Sequence, residues 1–148
     1  MKTITRVTLI LLLVALLPVS MASAEQYVQV DSSGQAINHI SPYSTPNVGK
    51  IYLLVHITIA NHGYDDVYTN PNNFRVEVNK VKYGYDSASF SLDQIGKPIL
   101  DANAHLSDGG QISGYLVFQI PADTKRFEII YHPGYPPMKV RYNYTEGT

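Results

Sequence analysis

The segment from Ile51 to Ala60 (IYLLVHITIA) constrains the fold more than any other part of the sequence. Every second residue in it is aliphatic, and most of these are β-branched: Ile51, Leu53, Val55, Ile57 and Ile59. A period of two is typical of a β-strand that turns one set of side chains toward a core and leaves the other set on a half-covered face. Asn61 then begins a turn of residues that tolerate positive φ. The sequence therefore predicts a central β-strand here.

Similar alternation predicts several further strands. They are 27–30, 74–78, 81–85, 112–120, 127–131 and 138–144, with a weaker pattern at 99–106. Asn79-Lys80 is predicted to be a tight turn that joins two of them into a hairpin. Residues 31–50 are rich in Ser, Pro, Asn and Gly, and Pro42 and Pro46 would interrupt a hydrogen-bonded ladder, so these residues are predicted to form a lead-in loop.

About seven or eight short strands separated by Gly, Pro and Asn predict an all-β fold, a two-sheet antiparallel sandwich. A small closed barrel is the alternative. Apart from the first two dozen residues, no apolar stripe with helical spacing reaches ten residues. The predicted organisation is a signal peptide at 1–24, an N-terminal strand and lead-in loop at 25–50, and the sandwich at 51–148.

Residues 1–24 have the three zones of an export signal. Two basic residues precede an apolar region of eleven residues at 7–17, and Ala22 and Ala24 form an A-x-A cleavage site. Cleavage there would leave Glu25 as the first residue of the mature chain, in a secreted or envelope-associated location. The alternative is an uncleaved anchor helix.

Charge and cysteine content exclude several classes of function. The sequence has eleven Lys and Arg against twelve Asp and Glu, and loss of Lys2 and Arg6 with the signal leaves nine against twelve, a net charge of −3. Nucleic-acid binding is therefore not expected, because it depends on clustered basic residues that displace counterions. The absence of cysteine excludes disulfides, thiolate zinc sites, thiol nucleophiles and lipid attachment through Cys.

A set of short motifs in a fixed order resembles a known family. The motifs are Val48-Gly49-Lys50, Asn61 with Gly63, Asn70–Phe74, Leu106–Gly110, Ser113–Phe118 with Ile120-Pro121, and Phe127–Tyr131. Together they resemble the domain of unknown function family DUF4352, whose members are exported immunoglobulin-like sandwiches, similar in fold to the immunoprotective extracellular protein of mycobacteria. The resemblance covers Gly49 to Tyr131 and implies an immunoglobulin-like fold and an exported location. The family has no agreed catalytic residues, so the resemblance implies none.

No catalytic constellation is visible in the sequence. Nucleophilic catalysis needs a serine at a sharp turn with a histidine and a carboxylate nearby, and no G-x-S-x-G motif is present. Ser113 lies inside a predicted strand, and the acidic residues are scattered among the loops. We therefore expect a protein that is not an enzyme and that needs no cofactor.

Four residues are weak candidates for a metal site: His56, His62, Asp65 and Asp66. Imidazole and carboxylate groups could bind zinc, and carboxylate oxygens could bind calcium. However, the spacing matches neither H-E-x-x-H nor the calcium loop D-x-[DN]-x-[DN]-G. No metal is predicted.

Tyrosines are the most promising recognition residues. The candidates for a recognition surface are Tyr83, Tyr85, Tyr135, Tyr142 and Tyr144. Tyrosine gives rigid, amphipathic contact area at low entropic cost, which suits binding to a glycan or a protein. Asn143-Tyr144-Thr145 also matches an N-glycosylation acceptor, with Asn143 as the modified residue.

These observations favour a non-enzymatic binding or adhesion domain at the cell envelope or outside the cell. Its partner would be an envelope or extracellular protein or a glycan, without stable membrane insertion after cleavage. The alternative is a structural envelope protein that associates with itself. An enzyme whose residues converge only in space is the third hypothesis, and a pocket that joins His56 to Asp65 or Asp66 would favour it.

Overall fold

A computed structural model describes residues 25–134, 136 and 139–145 of the chain. The β-strands are β1 (Tyr27–Ile37), β2 (Lys50–His62), β3 (Val67–Tyr68), β4 (Phe74–Val78), β5 (Val81–Tyr83), β6 (His105–Leu106), β7 (Gln111–Pro121), β8 (Arg126–Tyr131) and β9 (Val140–Thr145). Two 3₁₀ segments lie between them, η1 (Pro71–Asn73) and η2 (Ser87–Ile95).

The strands form two open sheets and a short ribbon. Sheet I has the order β1-β2-β7, sheet II has the order β5-β4-β8-β9, and the ribbon pairs β3 with β6. All of these strand pairs are antiparallel. The predicted antiparallel two-sheet sandwich is therefore confirmed, and β2 is the central strand of sheet I. The described strands do not close into the barrel that the sequence left as an alternative.

The main core lies between the two sheets. β2 contributes Leu53, Val55, Ile57 and Ile59, which are the odd positions of the period-two pattern. Sheet II contributes buried residues of β4 and β8, namely Phe74, Val76, Val78, Ile129 and Tyr131. Complete burial of one such apolar side chain stabilises a fold by about 1.5–3 kcal/mol. This apolar layer therefore holds the two sheets together.

The outer face of sheet I is covered over one half only. Tyr52 and Leu54 of β2 are buried there in a second cluster with Ile40 of the lead-in loop and Leu92 of η2. The Asp86 side chain caps η2 by accepting a hydrogen bond from the Ala88 amide at 2.8 Å. The even positions of β2 are therefore half-covered, as the sequence predicted, because η2 and the loop cover the first part of the strand.

β1 is longer than the sequence indicated. The predicted strand ended at Val30, whereas β1 pairs with β2 continuously from Tyr27 opposite His62 to Ile37 opposite Tyr52. Its second half is polar. This half can still form a strand because its backbone pairs with β2 while its side chains face water. Gly34 allows close packing here, since a Cβ on it would lie 3.2 Å from the Phe127 ring. The lead-in loop therefore begins after Ile37.

The segment between β5 and β7 also differs from the prediction. β5 ends at Tyr83, and the strand predicted at 99–106 is present only as β6. Ile99 instead forms a bridge to Tyr115 of β7, and the Leu100 amide donates to the Tyr115 carbonyl at 3.0 Å. This approach requires Gly114, because a Cβ there would overlap the Leu100 backbone. An apolar pattern could not reveal such a contact, which depends on a glycine in another strand.

The sandwich has two ends that differ in their loops. The Gly63 end contains residues 63–73, 101–110 and 132–134, together with the start of β1. The Asn79 end contains residues 47–49, 79–80 and 122–125, together with the end of β9. Asn79 and Lys80 have φ values of 49° and 67°, which confirms the predicted tight turn. None of the helical segments in the described part of the chain is long and apolar enough to cross a membrane.

Candidate recognition site

The β3–β6 ribbon places two aromatic side chains side by side at the Gly63 end. Val67 pairs with Leu106, and both side chains are buried in the main core. Because side chains alternate along a strand, the next pair, Tyr68 and His105, faces outward. Their ring centroids are 4.9 Å apart, and both residues are exposed. One residue pair of the ribbon, Val67 and Leu106, therefore belongs to the core, and the other, Tyr68 and His105, lies on the surface.

Hydrogen bonds fix the orientation of these two rings. His105 Nδ1 lies 2.9 Å from Asp66 Oδ2 and 3.0 Å from Asp66 Oδ1. Tyr68 Oη donates to Asn103 Oδ1 at 3.0 Å. We call Asp66, Tyr68, Asn103 and His105 the Tyr68 cluster. Exposed polar contacts of this kind contribute little to stability, so their main effect is to orient the groups.

Two fully buried polar residues support the cluster from below. Asn61 Nδ2 donates to the carbonyls of Tyr64 at 2.7 Å and Leu106 at 2.8 Å. Thr69 Oγ1 donates to the carbonyls of Asp101 at 3.0 Å and Ala104 at 3.1 Å. Buried polar groups with their hydrogen bonds satisfied make a loop region rigid, since each bond is costly to break. The Tyr68 cluster is thus held in a defined geometry.

A depression of about 210 Å³ lies beside the cluster. It is lined by Asp66, Tyr68, Asn70, Asn73 and Gly134. Asn70 Oδ1 accepts from the Asn72 amide, and the Asn73 carbonyl accepts from the His132 amide, each at 2.8 Å. The lining offers an aromatic face, a carboxylate and two carboxamide residues, which can bind a small neutral group rich in hydroxyls or amides.

The sequence profile of DUF4352, described as a domain of unknown function, matches residues 20–140. This match covers most of the chain. The chain belongs to the DUF4352 family. No curated protein matches it.

Two solved structures share the fold of this DUF4352 domain. One is ycdA of Bacillus subtilis subsp. subtilis str. 168, described as a "putative lipoprotein", with 15% identity and a TM-score of 0.62 over 80% of this chain. The chain spans 36% of the length of ycdA. The other is the yjhA protein of Bacillus subtilis, with 15% identity and a TM-score of 0.52 over 82% of this chain and 96% of that one. At this identity both similarities concern the fold alone.

The four metal candidates of the DUF4352 chain are not gathered into a site. His56 contacts Tyr115, with ring centroids 4.7 Å apart, and His62 stacks on Tyr27 at 4.3 Å. The two histidines are six positions apart along β2, which corresponds to roughly 20 Å. Asp65 is exposed, and Asp66 is bonded to His105. Among the described residues no group of three His, Cys, Asp or Glu side chains could hold a metal ion.

The tyrosine candidates have different environments. Tyr83 lies opposite Val76 and packs against the main core, with Lys50 Nζ 4.8 Å from its ring centroid. Tyr85 also packs against that core and contacts Phe90 edge-on at 6.3 Å. Both side chains are half-buried at the margin of the sandwich.

The remaining predicted residues lie on β9 or outside the described part of the chain. Tyr142 is in register with Ile129, Asn143 with Glu128, and Tyr144 with Phe127. Glu25 is exposed just before β1. Tyr135, Ala22 and Ala24 lie outside the described residues.

Sequence reasoning missed Tyr68, Asn103 and His105. Tyr68 and His105 are 37 positions apart and belong to strands of two residues each, which are too short to show alternation. Asn61 was identified only as a turn residue. The available signal was the string of Asn, Asp and Tyr from Asn61 to Asn73, which is unusually polar for a connection between two apolar strands.

Proposed function

We propose that this DUF4352 chain is an exported, non-enzymatic binding domain that recognises a neutral carbohydrate at the envelope or outside the cell. The Tyr68 cluster and its depression form the binding site. The observation that supports this most directly is the exposed Tyr68 ring, which is fixed by Asn103 and His105 beside a cavity lined by Asp66 and Asn70.

The chemistry of the site suits a sugar ring. One face of a sugar presents C–H groups, which can lie on the Tyr68 ring. The sugar hydroxyls both donate and accept hydrogen bonds, as do the carboxamides of Asn70 and Asn73. The carboxylate of Asp66 accepts only and already faces His105. Asp65 and Asp101 belong to the same end of the sandwich, and these carboxylates would repel an anionic ligand, which favours a neutral one.

The absence of a complete catalytic set supports a binding role. Asp66 and His105 resemble two members of a triad, but a triad also needs a nucleophile bonded to the histidine. Among the described residues, the hydrogen bonds of His105 go to Asp66, and no serine or threonine hydroxyl bonds to its ring. Export is supported by the signal pattern of residues 1–24 and by the structural similarity to ycdA, which is described as a "putative lipoprotein".

A glycan array probed with the predicted mature chain, residues 25–148, tests this function. We expect Tyr68→Ala to lower binding at least about tenfold, as truncation of a central aromatic contact does. Tyr68→Phe should retain part of the binding because it keeps the ring and loses only the bond to Asn103. Tyr43→Ala is the matched control, since Tyr43 is fully exposed in the lead-in loop.

Two results would contradict the proposal. The first is an array on which no neutral glycan is retained, or one on which Tyr68→Ala binds as well as the native chain. The second is a solution mass that rises with concentration while glycan binding is absent, which would support the self-associating structural alternative.

A further inference from the structure

Basic residues are concentrated at the Asn79 end of the sandwich. Four of the nine Lys and Arg residues after position 24 lie on its turns or beside them: Lys80, Lys82, Lys125 and Arg126. All four are exposed. The acidic residues of the loops are concentrated at the opposite end, as Asp65, Asp66, Asp101 and Asp108. The charged side chains of the described loops are therefore distributed unevenly between the two ends.

Among the described residues, three acidic side chains lie near this basic group. Glu77 lies 4.0 Å from Lys82 and 3.4 Å from Arg141, which also bonds to Glu128. Asp123 lies in the same turn as Lys125 and lines a depression of about 280 Å³ with Lys125 and Arg126. Lys80 is exposed at the tip of the β4–β5 hairpin and has a positive φ. Among the described residues at this end, basic side chains outnumber acidic ones.

Apolar side chains project from the same end. Val48 is fully exposed in the loop before β2, and Val81 is 53% exposed between Lys80 and Lys82. The Gly49 carbonyl accepts a hydrogen bond from the Ala122 amide, which places the Val48 loop beside the turn that carries Lys125. Exposed valine side chains would not contribute to binding a soluble anion. A lipid surface, in contrast, offers anionic headgroups above an apolar layer that valine side chains can enter.

We propose that the Asn79 end docks peripherally on a membrane surface that contains anionic lipids. Lys80, Lys82, Lys125 and Arg126 would contact the phosphate-bearing headgroups, and Val48 and Val81 would enter the boundary of the acyl layer. Such docking involves no spanning segment and agrees with the expectation that the mature chain is not stably inserted. It is independent of the carbohydrate site, which lies at the other end.

Vesicle sedimentation with residues 25–148 tests this inference, after a cooperative thermal melt has shown that this form is folded. Use of this form excludes the apolar residues 7–17, which would bind lipid by themselves. We expect binding to vesicles of phosphatidylcholine with phosphatidylglycerol, little binding to phosphatidylcholine alone, and a steep decrease with added salt. Each Lys or Arg near an anionic surface contributes about fivefold in affinity.

The double variant K80Q/R126Q should therefore bind the anionic vesicles about 25-fold more weakly. The matched control is K97Q/K139Q, which removes the same charge elsewhere on the surface and should bind like the native chain. V48S/V81S should also weaken binding with no change in salt dependence. Unchanged melting temperatures would show that the folded state is intact in all three variants.

Three results would overturn the proposal. Equal loss in K80Q/R126Q and K97Q/K139Q would show that only net charge matters. Equal binding to neutral and anionic vesicles would remove the role of the headgroups. Full competition by inorganic phosphate at the ionic strength of the control would mean that the depression beside Arg126 binds a free anion and not a lipid surface.

Discussion

The side chain of Tyr131 combines a ring that stabilises the core with a hydroxyl group that destabilises it. Its side chain is fully buried between the sheets against Phe74, with ring centroids 4.9 Å apart. No described residue makes a hydrogen bond to its hydroxyl group. Burial raises the pKa of Tyr131 to about 12. An unsatisfied buried donor costs about 1–3 kcal/mol, so this hydroxyl destabilises the core that its ring stabilises.

Tyr131→Phe should therefore raise the free energy of unfolding by about 1 kcal/mol at neutral pH, because the ring stays and the unsatisfied group is lost. Urea unfolding measures the change. Tyr43→Phe is the control, since Tyr43 is fully exposed and should show no difference. A less stable Tyr131→Phe variant would mean that the hydroxyl has a bonding partner in solution.

The same residue predicts a dependence of stability on pH. Below pH 10 the tyrosine is protonated in both states. Between pH 10 and about 12 the unfolded chain loses this proton while the folded chain retains it. The native free energy of unfolding should thus decrease by up to about 1.4 kcal/mol per pH unit in this range from Tyr131 alone. Tyr131→Phe should lose that part of the decrease, and parallel pH profiles for the two proteins would refute the assignment.

At the scale of elements, Asn61 joins β2 to the β3–β6 ribbon through bonds to Tyr64 and Leu106. Asn61→Ala would leave the buried Leu106 carbonyl without this donor. We expect a loss of about 2–3 kcal/mol in the free energy of unfolding, together with weaker glycan binding because the ribbon carries Tyr68. The control is Asn103→Ala, which removes an exposed amide and should change stability by less than about 0.5 kcal/mol. Equal losses in the two variants would contradict this role.

The elements also show what a sequence can reveal. β2 was predictable because its buried face repeats every second residue over a long strand. The second half of β1 was not, because Asp31–Ile37 is held by backbone pairing and carries few apolar side chains. The Tyr68 cluster was not predictable either, since it depends on a contact between two-residue strands that are far apart in the chain. Local patterns reveal burial, and they do not reveal long-range pairing.

At the scale of the whole molecule, the two proposed surfaces are separated by the length of the strands. β7 has 11 residues, and a strand of that length spans roughly 36 Å. Sites this far apart with no shared contacts should act independently. We therefore expect K80Q/R126Q to bind glycan like the native chain, and Tyr68→Ala to bind anionic vesicles like the native chain. Loss of both activities in either variant would indicate a general folding defect, which a thermal melt would reveal.

The composition of the whole chain concealed this arrangement. A net charge near zero excluded a uniformly basic surface, but a net charge cannot describe how charges are distributed. The hairpin turn at Asn79-Lys80 and the turn before Arg126 come together only because β4 and β7 end at the same side of the sandwich. The basic residues of this end are far apart in the sequence and come together only through the strand order of the fold.

The direction of the first and last strands has a mechanical consequence. β1 enters the sandwich at the Gly63 end and β9 leaves it at the Asn79 end, so a pull on both ends of the described chain acts along the strands. β1 and β2 pair over eleven residues in an antiparallel ladder. Tension in this direction loads all of their hydrogen bonds together in shear, and they cannot open one after another. The β1–β2 ladder should therefore resist tension applied between the start of β1 and the end of β9.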